Sequence, residues 1–128
     1  WGVNNRSVAL RIPAGSVKAR RIEHRPSGVD ANPYLVATTV LAGIRHGLAN
    51  RLDPGPETTG NGYEDAPENT GLPTDWRSAI AAARDSVFLK KALGEDLHRT
   101  LTSIKEAEYF RVARTISDVD YHLYLHEV

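Results

Sequence analysis

The stretch Asn5–Leu35, NRSVALRIPAGSVKARRIEHRPSGVDANPYL, constrains the fold more tightly than any other part of the chain. Two short alternating segments, SVALRIP and ARRIEHRP, flank a glycine-containing turn at Ala14–Lys18. Side chains that alternate with a period of two belong to strands. Over Arg6–Pro13 that period sets Val8, Leu10 and Ile12 on one face and Ser7, Ala9 and Arg11 on the other. Arg6 shares the apolar face but lies at its end, where it can reach an open cleft. Ala19–Arg25 is expected to return antiparallel, with Arg21, Glu23 and Arg25 on one face and Arg20, Ile22 and His24 on the other. Pro26–Ser27–Gly28 then stops the strand. A carboxylate flanked by two guanidinium groups on one strand face suits a metal bound beside anionic ligands.

Helices follow. Asn32 is placed as an N-cap with Pro33 at the first helical position, a start signal that rests on local hydrogen bonding and a pre-set φ. The helix runs to about Asn50, with Tyr34, Ala37, Leu41, Ile44 and Leu48 on one stripe and Val36, Val40, Gly43 and Gly47 on another. Two apolar stripes predict a buried helix behind the hairpin. Asp53–Thr74 shows no period and is rich in glycine and proline. A connection of about 20 residues without structure is uncommon in a compact domain and often functional, so it is read as a lid or binding loop, against a plain surface loop. Trp76–Leu93 reads as helical, interrupted near Ser86 and closed by Gly94. A further helix is expected from Glu95 to about Ile116, and Ser117 caps a last one at Asp118–Glu127. The expected class is α+β: an antiparallel hairpin from a larger sheet (1–28), a buried helix (30–50), a loop (53–75) and packed helices (76–128).

Charge narrows the partners. The 128 residues carry 16 basic and 16 acidic side chains, so no global field draws the chain to nucleic acid or anionic lipid. Locally the balance is uneven. Arg6, Arg11, Lys18, Arg20, Arg21 and Arg25 face only Glu23 and Asp30 in the first 35 residues, which leaves the remainder net acidic. A basic pocket on a neutral chain points to a small anionic ligand. Arginine's planar fork binds carboxylate or phosphate in bidentate fashion, and Lys18 would act as a point charge. KARR has no interleaved aromatics, which argues against a nucleic-acid reader. The absence of cysteine excludes disulfides and thiolate metal sites. No apolar run approaches the roughly 20 residues that span a bilayer, and no signal-peptide pattern is present. The chain opens on Trp1 and contains no methionine; it is read as a piece of a longer protein.

The same residues resemble a known family. Asn5–Arg6, Arg11–Ile12–Pro13, Lys18-x-Arg20–Arg21–Ile22–Glu23-x-Arg25 and Asp30–Ala31–Asn32–Pro33–Tyr34–Leu35 are similar, in order and spacing, to the carboxyl-terminal part of the glutamine synthetase catalytic domain. Similarity continues more weakly through Gly60–Asn61–Gly62–Tyr63, Phe88–Leu89 and Leu93–Gly94–Glu95–Asp96, and these later features look most like the γ-glutamylpolyamine synthetase branch. The resemblance implies a cytoplasmic, ring-forming ligase of nitrogen metabolism that uses ATP and Mg or Mn to join glutamate to an amine, ammonia or a polyamine, by way of γ-glutamyl phosphate. By motif, Glu23 would be a metal ligand. Arg21 and Lys18 would attend the nucleotide, and Arg6 the transferred phosphoryl group. Arg25 would hold the glutamate carboxylate, and Arg11 is assigned to the substrate as well. The remaining ligands would come from the rest of the parent enzyme, so the piece alone is expected to be inactive.

Three other motifs are weighed. Tyr63 lies where some bacterial members carry an adenylylated tyrosine, but NGYEDAP departs from the surrounding NLYDLP pattern, and Tyr63 is read as a loop tyrosine. His122, His126 and Glu127 place two histidines at i, i+4, a zinc spacing without an evident third ligand. Asn5–Arg6–Ser7 is formally a glycosylation sequon and is read as coincidence. The competing class is a non-enzymatic anion-binding or assembly module.

Overall fold

The structure is a computed structural model that describes residues 1–65 and 72–126. It comprises two compact units, Trp1–Leu72 and Pro73–Val128.

In the first unit three very short strands, β1 (Gly2–Val3), β2 (Leu10–Ile12) and β3 (Glu23–His24), form a mixed sheet in the order β1-β2-β3. The expected antiparallel return is present: Leu10 lies opposite His24 and Arg11 opposite Glu23. Hydrogen bonding continues one step further, from Arg25 N to Ala9 O at 2.9 Å. Strand β1 runs parallel to β2, with Gly2 opposite Arg11 and Val3 opposite Ile12; two residues gave no pattern from which to foresee it. The expected strands are also shortened. Residues 6–9 are bends because Asn5 Oδ1 accepts from Ser7 N at 2.9 Å, a local bond that competes with the ladder. On the return, Val17–Ala19 forms a 3₁₀ turn, and β3 begins only at Glu23.

Helix α1 spans Pro33–Asn50, with the expected start: Asn32 Oδ1 accepts from Tyr34 N at 3.0 Å and Leu35 N at 3.3 Å. Arg51 ends it in the left-handed conformation at φ 50°. Its expected burial is not observed. None of its residues is buried, and Tyr34 and Leu48 are 82% and 76% exposed. Caps and propensity make this helix locally, while the stripe of Tyr34, Ala37, Leu41, Ile44 and Leu48 stays exposed and Val36 and Val40 are only half-buried.

The expected loop after α1 is structured in its described part. Trp1 Nε1 donates to Gly55 O at 2.9 Å, Thr58 N to Trp1 O at 2.9 Å, and Val3 N to Glu57 Oε1 at 2.6 Å. Gly2 is buried in this seam: a Cβ there would lie 2.8 Å from Thr58 O and 2.9 Å from Asn5 Cβ, so only glycine lets the segments approach. The loop's last stretch, 66–71, lies outside the described residues.

The second unit is helical. Helices α2 (Trp76–Asp85) and α3 (Val87–Leu93) break at Ser86, as expected, because Ser86 ends one and caps the other, Oγ accepting from Leu89 N at 3.0 Å. Asp75 caps α2 through Ser78 N at 2.9 Å, and the Ser78 hydroxyl and amide hold the Asp75 carboxyl below its ordinary range. Helix α4 (Glu95–Ala113) packs against both α2 and α3. Ile80, His98 and Thr102 are buried there. His98 Nε2 donates to Ala83 O at 2.9 Å, which ties α4 to the last turn of α2. Trp76 and Tyr109 meet edge to face at 5.7 Å. Helix α5 (Asp118–Tyr124) carries the capping box of Ser117 and Asp120, and stops short of the expected end; Glu127 lies outside the described residues.

Replacing Asn32 by alanine removes the acceptor for two helix-start amides and is expected to cost about 1 kcal/mol of α1 stability. Amide exchange at Tyr34 and Leu35 should quicken roughly fivefold; unchanged protection there would refute the cap.

Candidate active-site hairpin

The chemistry gathers where β2 and β3 pair. Arg11 and Glu23 stand opposite each other in register, and Arg11 Nη1 donates to Glu23 Oε2 at 2.7 Å. The other fork of the guanidinium, Nη2, donates to Asn4 Oδ1 at 2.7 Å. Asn4 adopts φ 53°, a left-handed conformation that asparagine tolerates better than most residues. Arg21 Nη2 reaches the remaining carboxylate oxygen, Glu23 Oε1, at 3.2 Å. The Arg11 side chain is 13% exposed, Glu23 28% and Arg21 60%, so the cluster grades from half-buried to open. Arg11 Nε is buried without a hydrogen-bond partner among the described residues.

This arrangement fixes the charge on Glu23. The hydrogen bond from Arg11 is the largest influence holding its carboxyl below the ordinary carboxylate range; burial, the next, opposes it, and the fields of Arg11 and Arg21 add to the lowering. Glu23 is thus an ionised, oriented carboxylate.

The six residues singled out in the sequence are not all brought together. Arg11, Arg21 and Glu23 form one connected cluster. Arg6 lies in the bend before β2, Lys18 in the 3₁₀ turn and Arg25 just after β3; each is exposed and forms no ion pair with a described residue. Arg11, assigned to the substrate by resemblance, spends both terminal nitrogens inside the hairpin.

Asn5 and Ser7, to which the sequence assigned no site role, complete the region. Asn5 Nδ2 donates to Thr58 O at 2.9 Å and Gly60 O at 2.8 Å. Ser7 Oγ donates to Asn5 Oδ1 at 2.6 Å and accepts from Gly62 N at 2.8 Å. The Asn4–Asn5 pair was the available signal, since adjacent asparagines mark turns and side-chain-to-backbone bonding. Both Asn5 amide hydrogens are engaged. Tyr63 is 84% exposed.

The cation-rich, open side of the hairpin fits an anionic ligand. It does not make a metal centre by itself. Among the described residues, no group of three or more His, Cys, Asp or Glu side chains is placed to hold a metal, and the zinc spacing of His122 and His126 gains no third ligand. Glu23 is a single carboxylate. No described helix is long and apolar enough to cross a membrane.

Because the folded pKa of Glu23 is depressed, the ion pair contributes stability above the ordinary carboxylate range and loses it as pH falls through the depressed value. Carboxyl carbon NMR should show Glu23 titrating below an ordinary glutamate, and Arg11→Ala should move that midpoint upward. An ordinary midpoint in the unmodified chain would contradict the geometry.

The family model described as the glutamine synthetase catalytic domain matches residues 1–124. The chain is 39% identical over 120 residues to gamma-glutamylputrescine synthetase PuuA of Escherichia coli K12, covering 94% of this chain and 25% of that protein. Against the glutamine synthetase of Methanosarcina mazei it is 36% identical over 115 residues, covering 85% of this chain and 26% of that one. A solved structure of apo GmaS without ligand aligns with a TM-score of 0.81 at 27% identity, over 98% of this chain and 29% of that chain. The chain therefore spans about a quarter of the length of the curated relatives it matches. With its hairpin motifs in the expected order and its α+β fold shared with a solved relative, this chain belongs to the glutamine synthetase family, as a portion of the catalytic domain.

Proposed function

We propose that this chain supplies one wall of the active site of an ATP-dependent glutamate–amine ligase. The observation that carries the reading is the Arg11–Glu23–Arg21 cluster, an ionised carboxylate held between guanidinium groups at the edge of an open cationic surface. In the proposed reaction a γ-carboxylate oxygen of glutamate attacks the γ-phosphorus of ATP, and the bond to ADP breaks. The amine then attacks the acyl carbon of γ-glutamyl phosphate, phosphate leaves, and the nitrogen gives up a proton. Catalysis of this kind rests on positioning and on cations that meet developing charge on phosphoryl oxygens.

The roles follow the family motif residue by residue. Arg6 faces the transferred phosphoryl group, Arg21 and Lys18 attend the nucleotide phosphates, and Arg25 holds the substrate carboxylate. Exposure of all four fits a ligand-facing role. Arg11 reaches the substrate indirectly, by holding Glu23. Family membership implies a divalent metal, toward which Glu23 would be this chain's contribution; the other ligands, and the rest of the amine pocket, belong to other parts of the enzyme. A ring assembly with sites shared between subunits fits such an incomplete wall. Relatives named for putrescine, isopropylamine, ethanolamide and glutamine synthesis leave the amine open among ammonia, polyamines and other amines.

Glu23→Gln keeps the shape of the side chain and removes its charge. In the intact ligase it should lower glutamate- and ATP-dependent phosphate release by on the order of 10²-fold, the scale for losing one preorganised electrostatic contact. Near-normal turnover at saturating metal would overturn the assignment. The 128-residue chain alone should release no phosphate from ATP in the presence of glutamate and amine; measurable release would contradict the one-wall reading.

A further inference from the structure

The hydrogen bonds around Asn5 form a closed local system. A carboxamide offers two donor hydrogens and two acceptor lone pairs, and Asn5 uses all four. Its Nδ2 holds the carbonyls of Thr58 and Gly60, while its Oδ1 takes the amide and the hydroxyl of Ser7. Ser7 Oγ passes the connection on by accepting from Gly62 N at 2.8 Å. Both flanks of Arg6 are thus tied to one loop, across sequence separations of 53 to 55 residues. The approach is too close for a side chain on the loop: a Cβ at Gly62 would lie 2.6 Å from Ser7 O. Arg6 itself is exposed and forms no ion pair with a described residue, so its backbone anchorage comes from its two neighbours.

We propose that Asn5 is a positioning residue for Arg6, holding it toward the reacting phosphoryl group by clamping Thr58–Gly62 against the entry to β2. This rests on the reading of Arg6 given above. In that reading the loop is a fixed strut beside the site, where the sequence suggested a lid or binding loop. Ser7 is the second half of the clamp, since its hydroxyl joins Gly62 to Asn5.

The substitution Asn5→Asp tests the clamp with little change of shape. It keeps the acceptor that Ser7 uses but replaces Nδ2, with its two donor hydrogens, by one carboxylate oxygen facing two carbonyl oxygens. Steady-state kinetics of the intact ligase should show kcat lowered by at least tenfold, with KM for ATP and for the amine within about twofold. Arg6→Ala should lower kcat by on the order of 10²-fold. The decisive comparison is Asn5→Asp placed in the Arg6→Ala background. If Asn5 acts through Arg6, it should there change kcat by no more than about twofold, because coupled sites are non-additive. The same fold-loss in both backgrounds would mean a general structural role and overturn the proposal. Unaltered kcat in Arg6→Ala would instead remove the reading of Arg6 on which it rests. Where Asn5→Asp fails to fold, Ser7→Ala removes the hydroxyl that joins Gly62 to Asn5 and leaves the Asn5 bonds to Thr58 and Gly60, and the same double comparison decides: loss confined to the Arg6 background supports the clamp, and equal loss in both refutes it.

Discussion

The ion pair between Arg11 and Glu23 is the interaction on which the first unit of this chain depends. Strands of two and three residues cannot hold a sheet through their ladder alone. Among the described residues, the first unit buries only Gly2 and Pro13, and the buried Ile80 lies in the other unit. Polar contacts carry the load instead. One guanidinium joins β2 to β3 through Glu23 and to the turn after β1 through Asn4. A planar fork with fixed donor directions can bridge two acceptors in this way, whereas an ammonium would not fix their relative orientation. The same contact gives Glu23 its charge and its aim, so structural tie and candidate chemistry are one feature.

What could be read from the sequence was what local chemistry decides. The Asn32–Pro33 start, the break at Ser86, the turn at Gly94 and the Ser117 cap each depend on a few adjacent residues, and each is observed. The antiparallel return of β3 against β2 was legible because alternation and turn signals agreed. Other features depend on contacts that alternation does not encode. The strands shrink because Asn5 bonds to Ser7 and to the loop, and β1 exists only as a partner for β2. Helix α1 has the two apolar stripes of a buried helix, yet periodicity states only which side chains share a face. Here one face stays exposed and the other is only half-buried, at Val36 and Val40.

The candidate site was legible by residue type and only partly by geometry. Period-two alternation put Arg21 and Glu23 together, and they meet at 3.2 Å. It set Arg11 on a face of its own strand but could not show that its partner would be Glu23. Nor could it show that the loop after α1 closes on Asn5 and Ser7, more than 50 residues away in sequence. That loop supplies backbone carbonyls and one amide, groups that every residue possesses and that no motif marks. Glycines at positions 2 and 62 are its trace in the sequence, because their missing side chains permit the contact.

The most direct test of the central claim, that this hairpin serves phosphoryl transfer to glutamate, follows one oxygen atom. ATP carrying ¹⁸O in the β,γ-bridge is incubated with glutamate and the intact ligase in the absence of amine. Reversible transfer frees the β-phosphate of ADP to rotate, which moves the label to non-bridge positions before ATP re-forms. The account predicts scrambling that requires glutamate and is lost in Glu23→Gln. Absence of scrambling in the unmodified ligase, or its persistence in the variant, would contradict it.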